Sequence, residues 1–222
     1  MIAEAVNYIK NIFQNDFSGH DYFHSLQVYR VARAIAEQEN ADREIVSLAA
    51  LLHDTDDRKL SPETCEKKEH AVSFMKEQCV SDEDIEQICQ IIDEVSFTGS
   101  DSVIPSSIEG KCVQDADRQD ALGAIGIARA FAYGGSHNRA IYDPAIVPKI
   151  GMVKEEYQGY VTISVDHFYE KLFLLKDMMN TNTGKKIAEK REEFMRAYVD
   201  EFMAEWDGKD ADYEVKEHFD RG

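Results

Sequence analysis

SLAALLHDTDDRK, residues 47–59, is the stretch whose reading decides the fold. It opens as a run of Leu and Ala and turns abruptly into His53, Asp54, Asp56 and Asp57. From Ile45 to Leu52 no face is polar, and a helix that is apolar all round belongs in a core, because a surface helix keeps one polar face. The charged cluster at its end therefore sits where water is scarce. Burying carboxylates beside an imidazole is costly unless something positive satisfies them, and a metal ion fits this residue mix.

Outward from that stretch, composition sets bounds. At 222 residues the chain is long enough to bury a substantial core. With 43% hydrophobic and 31% charged residues it has the balance of a soluble globular protein. A net charge of −18 argues against a partner that is a nucleic acid polymer, whose phosphates are met by clustered Lys and Arg. Met1 to Phe13 reads as a short amphipathic helix, not as a signal peptide with a basic start and an unbroken apolar run. No apolar run approaches the roughly 20 residues that span a bilayer, so no membrane partner and a cytoplasmic location are expected. Cys65, Cys79, Cys89 and Cys112 show no CxxC pairing, which predicts reduced, mostly buried thiols and neither a disulfide framework nor a thiolate zinc site. Oligomeric state leaves no mark in the sequence.

The helical periodicity is nearly continuous. Ser18 with Asp21 caps a helix running to about Glu39, on which His20 and His24 lie four apart and share a face. Asp42 caps the helix of the opening stretch. Ser61-Pro62 predicts a helix through about Gln78, and Ser81 with Asp84 begins another whose greasy face is Ile85, Ile88, Ile91, Ile92 and Val95. Val113 to Tyr133 reads as one helix running into a second, with Gly123, Ala124, Gly126 and Ala128 kept small for close packing and Gly134-Gly135 ending it. Periodicity fails over 136–162, a length of irregular chain that a compact domain uses as a functional loop or leaves disordered. Helix resumes from His167 to Met179 and from Thr183 to about Trp206, the latter with Ile187, Phe194, Tyr198, Val199 and Phe202 as its core stripe. The one weak strand signal is Tyr160 to Val165. The expected fold is all-α, a single domain of about eight to ten helices over 1–206, followed by an acidic tail over 207–222 that frays.

His53 and Asp54 are adjacent, so on a helix they point about 100° apart; one ion touches both only where the helix ends or where it sits between helices. Two further ligands must come from elsewhere. His24 is the best placed, on a helix expected to pack on the buried one, and Asp117 follows, beside small residues that permit close approach. Two imidazoles and two carboxylates suit Mn²⁺, Mg²⁺, Fe²⁺, Co²⁺ or Ni²⁺.

His24, the His53-Asp54 doublet and Asp117 form the ordered H…HD…D signature, and with them the sequence resembles the HD-domain metal-dependent phosphohydrolases. The blocks GHDYFHSLQVYRVA, LAALLHDTDD and DADRQDALGAIGIARAF each look like those of small single-domain bacterial members, and the similarity runs on through FYEKLFLLKDMMNT and KKIAEKREEFM. The resemblance implies a helical fold holding one divalent ion on His24, His53, Asp54 and Asp117. Di-metal members need extra histidines between the doublet and the last Asp, and only His70 lies there. HDxxD is a frequent extension in the family, so Asp57 is assigned to orienting or deprotonating the attacking water, with Asp56 in its place if the helix stops at Asp54.

The activity so implied is hydrolysis of a small phosphorylated substrate, most readily a nucleotide, with nucleoside or deoxynucleoside triphosphates cleaved to monophosphate and pyrophosphate as the first class. The alternatives are a 5′-nucleotidase, a phosphodiesterase on another small phosphorylated metabolite, or a nucleotide-binding sensor without turnover. Donors for its phosphates are sought among His20, Lys59, Arg118, Lys171 and Lys176, and 136–162, with Arg139 and Lys149, reads as a lid or as a plain exposed loop.

Overall fold

Asp42 starts the helix on which the others are laid. Its carboxylate accepts hydrogen bonds from the amides of Glu44 (2.8 Å) and Ile45 (3.1 Å), which an isolated helix end would leave unpaired. In the computed structural model, which describes residues 1–13, 22–56, 63–95, 103–149 and 162–209, this helix is α3 (Arg43–Leu52), and every side chain from Ile45 to Leu52 is buried. Around it lie α1 (Ile2–Ile12), α2 (Tyr22–Glu39), α5 (Asp82–Val95) and α6 (Ile108–Asp120), with α2 and α6 also packed on each other. The remaining elements are α4 (Glu69–Glu77), α7 (Gly123–Ser136), α8 (Asp166–Glu170), a 3-10 helix (Leu172–Met178) and α9 (Asn182–Trp206).

The fold is all-α, as expected, with nine α-helices and one 3-10 helix among the described residues and no strand among them. Where a weak strand signal ended, the amides of Ser164 and Val165 donate to the Ala140 and Ile141 carbonyls (both 3.0 Å), tying a loop against the residues after α7. No helix of the described residues is long and apolar enough to cross a membrane.

Two apolar cores result. The first joins α1 through α6 and includes all of Ile45–Leu52 apart from Ser47; the second joins Leu122 and α7 to α8, the 3-10 helix and α9 around Phe168 and Met195. Between them runs α6, a strongly polar helix that is nonetheless buried along most of its length. Its polar side chains are used as fasteners. Gln114 donates to the carbonyls of Glu94 and Val103 (both 2.9 Å), and Gln119 donates to the Gly184 carbonyl (2.7 Å). Buried amides so paired cost little, whereas unpaired ones would be strongly unfavourable.

Several boundaries differ from expectation for visible reasons. The helix expected from Pro62 begins at Glu69, because Lys68 turns the chain at φ 50° and the Asp56 carboxylate accepts from the amides of His70 (3.1 Å) and Ala71 (3.0 Å). Gly134 and Gly135 do not end α7, which continues to Ser136. Gly134 is needed for close approach instead: a β-carbon there would overlap the Ser164 hydroxyl. In α9 the buried positions are Gly184, Ala188, Glu192, Met195 and Val199, while Phe194 is 53% exposed. Glu192 is tolerated in that stripe because Arg196 (2.6 Å) and Lys176 (3.0 Å) pair with it. All four thiols are free, and only Cys112 is buried; burial pushes its pKa up to about 12.

Candidate metal centre

Three helices deliver the H…HD…D residues to one place. His24 lies in the first turn of α2, His53 caps the C-terminus of α3, Asp54 follows it in the turn, and Asp117 stands near the end of α6. The helix ends at Leu52 with His53 as its C-cap, still at helical angles (φ −58°, ψ −33°), and at this helix end the His53 Nε2 and Asp54 Oδ2 atoms come within 3.4 Å of each other.

Ligand atoms of His24, His53 and Asp117 all lie within 4.8 Å of one another. The Asp117 carboxylate approaches His24 Nε2 at 3.4 Å and His53 Nε2 at 3.8 Å. Asp54 Oδ2 is 3.4 Å from both imidazole Nε2 atoms. His24, His53 and Asp54 are buried, and Asp117 is half-buried. Two carboxylates facing one small space repel each other, and a cation is what such a space is suited to hold.

The tautomers point the same way. His53 Nδ1 donates to the Ala50 carbonyl at 2.9 Å, since a carbonyl only accepts, so in the neutral ring the lone pair is on Nε2. That Nε2 is buried and makes no hydrogen bond. A buried imidazole nitrogen left in this state is unfavourable by roughly 1–3 kcal/mol unless a ligand takes it up. On this observation the residues fit a divalent ion with mixed nitrogen and oxygen ligands. Among the described residues this is the one His, Cys, Asp or Glu group with that geometry.

Without an ion, a proton is the cation that the site holds. Burial opposes a charged His24, but hydrogen bonds to Asp117 and Asp120 and the charges of Asp117 and Asp54 outweigh it and lift its pKa from 6.5 to about 10. Burial likewise opposes a charged Asp117, yet the His24 hydrogen bond and the two imidazoles hold its pKa below the ordinary carboxylate value. A pH dependence follows. Because the folded pKa of His24 is raised, its stabilising contribution to the metal-free protein is complete below pH 6.5 and is lost as pH rises toward about 10. An ion must displace that proton, so its affinity moves the other way, rising about tenfold per pH unit over the same window. Thermal melts in a chelator and Mn²⁺ titrations at pH 6.5 to 9 check both signs.

The neighbouring acids divide. Asp56 is taken up at the start of α4, where its carboxylate also lies 3.2 Å from His70 Nδ1. It serves as a cap. His70 is held there too, its carbonyl accepting from the Tyr8 hydroxyl (2.9 Å). Asp57, His20 and Lys59 lie outside the described residues. Of the other expected phosphate donors, Arg118 is buried and donates to the Met178 carbonyl, and the Lys176 ammonium is 3.0 Å from Glu192. Lys171, half-buried, caps α8, and its charge bears on His167. A residue that sequence reasoning passed over is Asp120: its Oδ2 accepts from His24 Nδ1 at 2.7 Å. The signal lay in the QDADRQD run, where three acids stand three or fewer apart and periodicity alone does not say which one faces α2.

Comparison with known proteins bears on all of this. The HD domain family profile matches residues 21–122, which include the whole signature. Bacillus subtilis YpgQ is 39% identical over 217 residues, covering 95% of this chain and 96% of its own. An HD-superfamily hydrolase from Bacillus thuringiensis has a crystal structure similar at TM-score 0.75 and 41% identity, covering 93% of this chain and 96% of that one. The crystal structure of Bacillus subtilis YpgQ in complex with ADP is similar at TM-score 0.70 and 36% identity, covering 92% and 97%. With its signature residues gathered in one buried site and this relationship over nearly its full length, the chain belongs to the HD-superfamily hydrolases.

Proposed function

We propose that the protein is a metal-dependent phosphohydrolase of nucleotides, acting first on nucleoside or deoxynucleoside triphosphates to give monophosphate and pyrophosphate. The observation that carries the proposal is the convergence of two imidazoles and two carboxylates on one space, with His53 Nε2 buried and making no hydrogen bond. The ADP bound to the related YpgQ supports a nucleotide as the ligand class.

His24, His53, Asp54 and Asp117 would hold one divalent ion, Mn, Mg, Co, Ni or Fe. Bound there, it lowers the pKa of a water toward neutrality and offsets the charge that builds on the phosphoryl oxygens. The chain's own groups do the rest. The Nδ1 contacts of His24 and His53 fix the two rings. Asp57, next to the turn that carries the doublet, takes the proton of the attacking water or aligns it for in-line attack. His20, Lys59 and Lys171 are assigned to the substrate phosphates. Arg118 and Lys176 are engaged instead with the Met178 carbonyl and the Glu192 carboxylate. We place the protein in the cytoplasm with its substrate.

The test is a nucleotide panel with phosphate and pyrophosphate measured separately, on protein stripped of metal and reloaded with Mn²⁺, Mg²⁺, Co²⁺ or Ni²⁺. Pyrophosphate released from triphosphates is expected. Phosphate from monophosphates alone would make it a nucleotidase. Tight metal-dependent nucleotide binding with no product over hours would overturn the enzymatic reading.

A further inference from the structure

Asp120 Oδ2 is shared. It accepts from His24 Nδ1 at 2.7 Å and lies 3.0 Å from an Arg129 guanidinium nitrogen, and the Asp120 side chain is only 4% exposed. Arg129 belongs to α7, the helix after the corner that ends α6. That corner exists because of two glycines. Gly123 sits at φ +72°, a left-handed conformation that other residues rarely adopt, and a β-carbon there would also press on Arg191 Cγ at 3.1 Å. A β-carbon at Gly126 would overlap the Ala121 carbonyl and force α7 away. The glycines thus let α7 fold back closely enough for Arg129 to meet the carboxylate at the end of α6.

We propose that Asp120 and Arg129 are a positioning pair for the metal centre. Asp120 holds His24 by Nδ1 so that Nε2 faces Asp54, Asp117 and His53, and Arg129 pins the carboxylate that does so. Neither touches the ion or the substrate. The geometry is that of a carboxylate–histidine–metal relay, in which the outer carboxylate sets ring orientation and which nitrogen carries the hydrogen. His53 obtains the same service from the Ala50 carbonyl. One ring is therefore set by backbone and the other by a side chain, and only the second contact can be removed by substituting the partner. This inference rests on the metal-centre reading above.

Mn²⁺ affinity, measured by calorimetry on metal-free protein, tests it together with the proton NMR spectrum of the Co²⁺-loaded form. Asp120→Ala is expected to weaken Mn²⁺ by roughly 10- to 100-fold. It should also remove one of two hyperfine-shifted, slowly exchanging imidazole N–H signals, that of His24. Asp120→Asn, whose side-chain oxygen still accepts from Nδ1, should recover most of the affinity. Arg129→Gln, at a position over a third exposed and so tolerant of change, should weaken Mn²⁺ several-fold with its melting temperature nearly unchanged. That variant decides the matter should Asp120→Ala fail to fold. Unchanged affinity with both N–H signals retained in the Asp120 variants, or unchanged affinity in Arg129→Gln, overturns the pair while leaving the metal centre intact. A wild-type chain that takes up no ion overturns the metal-centre reading itself, and the pair with it.

Discussion

His53→Ala is expected to lower phosphohydrolase turnover by about a thousandfold and to abolish stable metal binding, while changing the stability of the metal-free protein far less than it changes the gain from metal. The first part follows from what the ion supplies: several kcal/mol of charge stabilisation in the transition state, at 1.36 kcal/mol per tenfold in rate. The second follows from the structure. In the metal-free fold the His53 side chain makes one hydrogen bond, Nδ1 to the Ala50 carbonyl, favours the charged Asp117 carboxylate beside it, and carries one buried nitrogen with no hydrogen bond. Removing it relieves the unsatisfied nitrogen, worth about 1 kcal/mol or somewhat more, and this offsets much of what is lost with the hydrogen bond and the support of Asp117. Wild type should gain about 2.7 kcal/mol from an ion at a hundred times its dissociation constant, and His53→Ala none. Steady-state kinetics and melts with and without Mn²⁺ read both. A variant that keeps wild-type turnover and the full metal-induced rise in melting temperature would contradict the assignment.

Asp115→Ala is expected to have the largest effect on stability, about 3–5 kcal/mol, without altering a residue of the centre. Asp115 is wholly buried on α6, two residues before Asp117, and its carboxylate accepts from the amides of Asn180 and Thr181 (both 2.8 Å), from Asn180 Nδ2 (2.9 Å) and from the Thr181 hydroxyl (2.7 Å). Burial pushes its pKa up and those hydrogen bonds draw it back. The four contacts hold the entry to α9, and Gly184 on that helix lies so close that a β-carbon would overlap the Asp115 carboxylate. Truncation leaves several buried donors unpaired beside a void. Urea unfolding should show the loss in midpoint with little change in slope, and the folded fraction should bind Mn²⁺ as wild type does. A shift under 1 kcal/mol would mean that α9 is held by its other contacts, without need of the Asp115 carboxylate.

The helices and the signature were legible because they are written in short-range patterns. Ile45–Leu52 is apolar all round, Asp42 is a capping residue in the right place, and His24, His53, Asp54 and Asp117 fall in an order that few other arrangements share. What stayed hidden depends on partners distant in sequence. The burial of α6 contradicts its polarity and becomes intelligible only with Asn180, Thr181 and the Gly184 carbonyl in view, more than sixty residues on. Asp56 resembled Asp57 until the start of α4 was seen to need a cap. Asp120 was one acid among three, and only the approach of α2 and α7 distinguishes it. Glycine gave the least away: Gly123 makes a corner, whereas Gly134 stops nothing and permits a contact. The periodicity that placed Phe194 in a core stripe also failed, since the face of α9 turned toward α7 and the 3-10 helix carries Glu192 in an ion-pair network.

On the proposed function, His24, His53, Asp54 and Asp117 together hold one divalent ion. Elemental analysis of the purified protein, stripped with chelator, reloaded with Mn²⁺ and desalted, tests it most directly. One Mn²⁺ per wild-type chain and none per His53→Ala or Asp117→Ala chain is the result predicted. Wild type emerging without metal, or equal metal content in all three proteins, would contradict it.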